Sequence, residues 1–379
     1  MICNQKKIPV ELNQDIVFLE WLLPDKNILM GRLKYILESA KDSGLELAIP
    51  ESIIEQAVDS ASGLSSSQAE NAFALSLIQK QNIDPIVISE FKAQAYLKSG
   101  LLELELPRPA SDFQGYDNLQ SYMREISSAF HRKSQFNLPS PRGILLVGPP
   151  GVGKTLASRC IASILGTTLL KVDLGKVMEQ YVGASEANIR RLIAAAERMA
   201  PVVLRLDEIE KQMAGMGNTS GNLDSGVGGR LMATLLTWMQ EHTSRVYLVA
   251  TANNVDMLRP ELLRKGRFDE IFFIDLPSRD ECHSILQYNI FSRIGNNSVI
   301  CDIGAINSLS PELLGWSGSE IEQLVITGLR KYEQLQSESF NGSNSPVDEP
   351  DILEAILEKE IENTVPLSIL RKEDIDKIR

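Results

Sequence analysis

The run Gly148-Pro149-Pro150-Gly151-Val152-Gly153-Lys154-Thr155 follows an apolar stretch, Gly143 to Val147, and opens a helix-like one. Set between a strand and a helix, that spacing is the pattern of a Walker A phosphate loop. Glycines let successive backbone N–H groups turn inward around a β-phosphate, and the helix that follows adds its positive N-terminal end. The spacing predicts that Lys154 sets its ammonium between the β- and γ-phosphates. Thr155 would give its hydroxyl to Mg2+, which prefers hard oxygen ligands. The bland alternative is a glycine turn beside a surface lysine, and a second motif at domain-scale distance weighs against it.

That second motif is Val202-Val203-Leu204-Arg205-Leu206-Asp207-Glu208, an apolar strand that delivers two acids at its end, as a Walker B segment does. Asp207 would hold Mg2+ through its water shell, and Glu208 would orient or deprotonate the attacking water. Arg205 departs from the pattern, because a central strand is normally apolar. Side chains alternate along a strand, so Arg205 shares a face with Asp207 and needs an acid partner there, with Glu210 one option. Such an arginine could also draw Asp207 away from the metal.

Around these motifs the short β-rich runs GILLVG, TLLKVD, VVLRLD, VYLVAT and IFFIDL alternate with helix-length segments. The alternation predicts an α/β fold, a parallel sheet covered by helices. After VYLVAT come Asn253 and Asn254, then Arg264-Lys265-Gly266-Arg267. An amide near the γ-phosphate can position water, and arginines can neutralise charge as the phosphoryl bond breaks. Gly215 to Gly229 reads as a mobile loop near the site, and Asn341 to Pro350 as a linker.

With 379 residues the chain has room for two or three domains, and 43% hydrophobic residues can fill their cores. A net charge of −12 argues against a polyanion as the main partner, so nucleic acid is not expected. No apolar run approaches a bilayer span and the N-terminus lacks a signal-peptide core, so the expectation is a soluble intracellular protein. Four scattered cysteines and three scattered histidines offer no zinc or disulfide framework.

The first hundred residues read as mostly helical after a strand-like run at Ile16 to Leu22, with a helix start at Asp84-Pro85. Gly63-Leu64-Ser65-Ser66-Ser67-Gln68-Ala69-Glu70-Asn71 aligns without a gap to Gly315-Trp316-Ser317-Gly318-Ser319-Glu320-Ile321-Glu322-Gln323. Each copy carries a Ser-x-x-Glu capping box, read at Ser67/Glu70 and Ser319/Glu322. Upstream, Pro9-Val10-Glu11-Leu12 with Leu23-Pro24 echoes Pro260-Glu261-Leu262-Leu263 with Leu276-Pro277 at nearly the same offset. The expectation is an internal repeat whose first copy is the tail of a second module, beginning after the point where its own loop would stand. One nucleotide site is therefore predicted, while two helices capped alike by chance remain the alternative.

These motifs resemble the AAA ATPases over about residues 112 to 335. Phe113-Gln114-Gly115-Tyr116-Asp117-Asn118-Leu119 is similar to that family's adenine-flanking segment, and Gly315 to Ile321 to its helical-lid signature. The resemblance implies ATP and Mg2+ as cofactors, Asn253 as sensor 1, and Arg264 and Arg267 as arginine fingers reaching a neighbouring subunit's nucleotide. It adds Leu156, Gly115 and Gly318 to the nucleotide-binding residues, and a homo-oligomeric, hexameric ring. Tyr181-Val182-Gly183 matches the pore pattern with which family members grip a protein client, against the option of a tyrosine packed under its loop.

The helical N-terminal segment, the Asp-Glu-Ile-Glu-Lys stretch and the Thr364-Val365-Pro366-Leu367-Ser368 ending look like the plastid and cyanobacterial hypothetical chloroplast reading frame forty-six AAA-domain family. Members carry a degenerate first AAA-like module, of which this chain would keep the end. The expected organisation is a remnant module over 1–105, an ATPase core over 106–277, a helical lid over 278–340, a linker over 341–350 and a C-terminal helical segment over 351–379.

The function implied is Mg2+-dependent ATP hydrolysis coupled to remodelling of a protein partner, in the cyanobacterial cytoplasm or plastid stroma, with a link to photosynthetic carbon metabolism. The alternative is a nucleotide-gated scaffold with marginal hydrolysis. A nucleic-acid helicase or loader is disfavoured by the acidic balance.

Overall fold

A computed structural model describes residues 23–42, 49–96, 101–131, 138–178, 184–214, 225–294, 308–341 and 350–378. Six strands form one sheet: β1 (Leu102–Glu105), β2 (Gly143–Val147), β3 (Thr168–Val172), β4 (Val202–Leu206), β5 (Val246–Ala252) and β6 (Glu270–Phe273). Their order across the sheet is β1-β3-β4-β5-β2-β6. The five strands expected from the apolar runs all pair in parallel. Helices cover both faces, which is why β2, β4 and β5 are buried along their whole length and apolar almost throughout. Alternation assigns Leu145 and Val147 to one core, with Leu204, Leu235 and Trp238, and Ile144 and Leu146 to the other, with Ile161, Val203 and Tyr247.

The sixth strand corrects the expected boundary at residue 105. Leu102–Glu105 pairs antiparallel with β3, Leu102 opposite Val172 and Glu105 opposite Leu169, so it belongs to the sheet. Its Leu-Glu-Leu-Glu alternation is a period-2 signal, too short to decide against a helix until β3 lies beside it.

The lid also extends further than expected. Its core joins Cys282, Leu286 and Ile290 to Ile321 and Leu324, and then to Leu353 and Leu357 from the helix Pro350–Asn363. The C-terminal segment thus completes the lid, and Gly328 permits the contact, since a Cβ there would stand 2.5 Å from Leu357 Cδ2.

Helices Lys26–Asp42, Glu51–Ala61, Ser66–Lys80 and Pro85–Tyr96 form the N-terminal unit around Leu33, Val58, Phe73 and Ile88. Asp84 starts the last of these by accepting the Ile86 N–H at 2.9 Å, as its sequence suggests. The capping boxes lie two residues earlier than expected. Ser65 and Gln68 bond each other's backbone N–H, and Ser317 and Glu320 do the same, because the residue just outside the first turn makes the cap. Glu70 and Glu322 instead pair with Arg32 at 3.0 Å and Arg293 at 2.6 Å from neighbouring helices. The two segments share one local geometry: Gly63 and Gly315, at φ +90° and +92°, each turn the chain into a capped helix.

The strand-like run at Ile16 to Leu22 lies outside the described residues, as do 342–349 of the expected linker. Of the loop expected over Gly215 to Gly229, 225–229 instead open the helix Ser225–Glu241, and 215–224 lie outside.

The N-terminal unit docks on the core through Ala93, buried among the sheet's apolar residues, and through polar groups. Asp59 pairs with Arg245, and Lys92, 1% exposed, donates to the Ala200 carbonyl at 2.8 Å. Burial, then the charge of Arg245, pushes the Lys92 ammonium down to about 7. The folded value lies below that of the unfolded chain, so the unfolded state holds more protons between about pH 7 and 10. Stability therefore rises with pH across that window, and the gain is lost as pH falls through 7. Lys92→Met is expected to stabilise the protein by about 2 kcal/mol at pH 6. Thermal melts should show that advantage shrinking by pH 9, and a pH-independent difference would refute the assignment.

Candidate nucleotide site

The loop between β2 and the helix Lys154–Ile164 forms the floor of a cleft of about 740 Å3 between the sheet's C-terminal edge and the lid. Gly151, at φ +83°, is where the lid touches the loop. A Cβ there would stand 2.5 Å from Ser319 Oγ, and the Ser319 N–H donates to the Gly151 carbonyl at 3.0 Å. Any larger residue would push the lid away.

Lys154 is 7% exposed and donates to the carbonyls of Gly148 and Pro149, each at 2.6 Å. Burial pushes its ammonium down to about 8, against the opposing carboxylates of Glu210, Asp207 and Glu208. The ammonium is thus turned onto the loop's own carbonyls, beside the cleft that Lys154 lines.

Asp207, at the end of β4, accepts the Thr251 hydroxyl at 2.6 Å and stands 3.4 Å from the Thr155 hydroxyl, both through Oδ1. Burial alone would raise its carboxyl, but the Thr251 hydroxyl and the Arg205 guanidinium outweigh it and hold it below the usual carboxylate range. Arg205 lies on the face of Asp207, as alternation predicts. Its partners are Glu105 and Asp207 Oδ2, the latter at 2.7 Å, and not Glu210. Glu210 instead accepts the Asn253 backbone N–H at 2.9 Å, because it lies one helical turn beyond the strand, under β5.

Glu208 sits at φ +47°, a left-handed conformation uncommon outside glycine, and its N–H is held by Thr251 Oγ1 at 3.0 Å. Its carboxylate accepts Asn253 Nδ2 at 2.9 Å and Lys211 Nζ at 2.8 Å.

Hard oxygens from one threonine and one carboxylate fit magnesium, which keeps waters and shares its shell with phosphates. Among the described residues no group of three or more His, Cys, Asp or Glu could hold a metal unaided.

Of the sequence-predicted residues, Gly151, Val152, Gly153, Lys154, Thr155, Leu156, Asp207, Glu208, Asn253 and Gly318 line this cleft. Gly148, Pro149 and Pro150 stand behind it, and Gly115 is packed against Glu281, although its neighbours Gln114 and Tyr116 line the cleft. Arg264 and Arg267 stand outside it, Arg267 donating to the Glu261 carbonyl. Tyr181 and Val182 lie outside the described residues.

Sequence reasoning gave Thr251 no role, offered Glu210 to Arg205 and took Tyr116 only as part of its segment. Thr251 is the hydroxyl at the end of an otherwise apolar strand, a signal that could have been read. The Tyr116 phenol donates to the Val152 carbonyl and its N–H to Glu281 at 3.0 Å, tying the segment from Phe113 to Leu119 to both loop and lid.

The chain matches the ATPase family associated with various cellular activities (AAA) over residues 144–276. It matches the SpoVK-like AAA ATPase second domain over residues 31–99. It is 34% identical over 344 residues to the uncharacterized AAA domain-containing protein ycf46 of Trieres chinensis, covering 89% of this chain and 67% of that one. To the ycf46 protein of Guillardia theta it is 32% identical over 383 residues, covering 100% and 71%. The crystal structure of the FIGL-1 AAA domain shares the fold, with a TM-score of 0.58 at 19% identity over 76% of this chain and 93% of that one. Among the described residues no helix is long and apolar enough to cross a membrane.

Proposed function

We propose, for a chain that belongs to the AAA ATPase family and within it to the ycf46 AAA domain-containing proteins, that it hydrolyses ATP with Mg2+ to remodel a protein partner. The observation that carries this reading is the meeting of Lys154, Thr155, Asp207, Glu208 and Asn253 in one cleft closed by the lid at Ser319.

In this reading the loop N–H groups and Lys154 bind the phosphates. Thr155 and Asp207 would hold Mg2+, which would supply charge neutralisation for the phosphates. Glu208 takes the proton of the attacking water, and the Asn253 amide fixes the carboxylate that does so. Arg264 and Arg267, outside their own chain's cleft, serve the neighbouring subunit of a hexameric ring. Tyr181 and Val182 grip the client. The N-terminal unit is part of an AAA-like module, a reading supported by the SpoVK-like match and by the repeated capping turn. The ring works in the plastid stroma or cyanobacterial cytoplasm, in the regulation of photosynthetic carbon metabolism.

A second reading, a nucleotide-gated scaffold with marginal hydrolysis, is favoured by the Arg205–Asp207 ion pair. Steady-state ATP hydrolysis of the purified chain against protein concentration separates the two, with Glu208→Gln as blank. Turnover per subunit that rises with concentration supports sites completed between subunits. Turnover at the blank level despite nucleotide binding supports the scaffold.

A further inference from the structure

We propose that Arg205 is a positioning residue that competes with the divalent cation for Asp207, and that Glu105 on the edge strand sets how strongly it competes. The inference rests on the ATPase reading above, because it concerns the metal held at Asp207.

Arg205 occupies the centre of the sheet with a side chain 4% exposed. Of its strand neighbours on the same face, Val203, Tyr247 and Val249 are apolar core residues, while Lys171, directly opposite on β3, is a half-buried second cation, so packing alone does not call for an arginine there. An ion pair buried at such a position is often no more stabilising than an apolar side chain, which directs attention to what the charge does. Nη1 bonds to Glu105 Oε2, and Nη2 donates to Asp207 Oδ2 at 2.7 Å. Among the described residues Nε has no partner, so the two carboxylates account for the hydrogen bonds that hold the guanidinium.

Asp207 therefore has both oxygens engaged: Oδ1 by the Thr251 hydroxyl and Oδ2 by Arg205. A carboxylate offers about four lone-pair sites, so the water shell of a cation can bond only to the positions left over, and against the field of a neighbouring positive charge. Glu105 opposes that field. It draws the guanidinium toward β1, and its other oxygen faces Arg159 Nη2 at 3.7 Å, on the helix that begins at the phosphate loop. Removing Arg205 frees Asp207 for the cation, whereas neutralising Glu105 leaves the arginine wholly to Asp207. The two changes should act in opposite directions.

The test is the affinity of the full chain for methylanthraniloyl-ADP, measured with Mg2+ and again in EDTA. The ratio of the two affinities reports the coupling between metal and nucleotide. Arg205→Phe is expected to raise that ratio about fivefold and Glu105→Gln to lower it by a similar factor, with affinity in EDTA unchanged in both. Arg205→Met replaces the phenylalanine variant if that one does not fold. A purely structural role would shift the melting temperatures and leave the ratio alone. Ratios that stay at the parent value, or that move together, overturn the proposal. A parent chain that binds no nucleotide in either buffer removes the ATPase reading itself, and this inference with it.

Discussion

Replacing Arg267 by alanine is expected to lower ATP turnover by about three to five decades while leaving nucleotide affinity near the parent value. The side chain lies outside the cleft of its own chain and bonds to the Glu261 carbonyl on an outer turn, so its loss should not disturb phosphate binding there. A finger that crosses a subunit boundary makes a further demand. Arg267→Ala subunits keep intact clefts, and Glu208→Gln subunits keep intact fingers. Mixing the two inactive variants should restore turnover, because each mutant cleft of the first kind can meet a normal arginine of the second. Parent-like turnover in Arg267→Ala alone, or a mixture as inactive as its parts, would reject the role.

Glu208→Gln is expected to cost about two to four decades in turnover with ATP still bound, the usual span for loss of a general base. The change is nearly isosteric, and the amide oxygen can still accept Asn253 Nδ2, so the geometry of the cleft should persist. What disappears is the proton acceptor. The φ of +47° at this residue fits such a role, since backbone strain persists where neighbours over-determine it, here the N–H bond to Thr251. Single-turnover measurements separate chemistry from product release. A variant that hydrolyses bound ATP within a factor of about ten of the parent would transfer the base role elsewhere.

Much of the cleft was legible because its motifs are local. The loop from Gly148 to Thr155 is a contiguous backbone device, and Asp207 and Glu208 follow directly from an apolar strand. Parallel order follows from the alternation of strands with helix-length segments, and the face shared by Arg205 and Asp207 from strand periodicity. The caps at Ser65 and Ser317 were misplaced by two residues, because each segment holds more than one serine with an acceptor three positions on. Only the start of the helix selects between them. Glu210 was misassigned for a related reason: proximity to Arg205 in sequence suggested an ion pair, and a turn of helix carries it under β5 instead.

The glycine-rich loop from Gly148 to Thr155, the five parallel strands and the acids at the end of β4 were readable from the chain's local order, since each rests on a pattern in consecutive residues. Long-range packing settles what local order leaves open: that Leu102–Glu105 joins the sheet, that the C-terminal helix completes the lid, and that Glu105 and Thr251 bracket Arg205 and Asp207. Those partners lie far apart along the chain. Their meeting is fixed by strand order and by the burial of the sheet between two layers of helices, which no local spacing encodes.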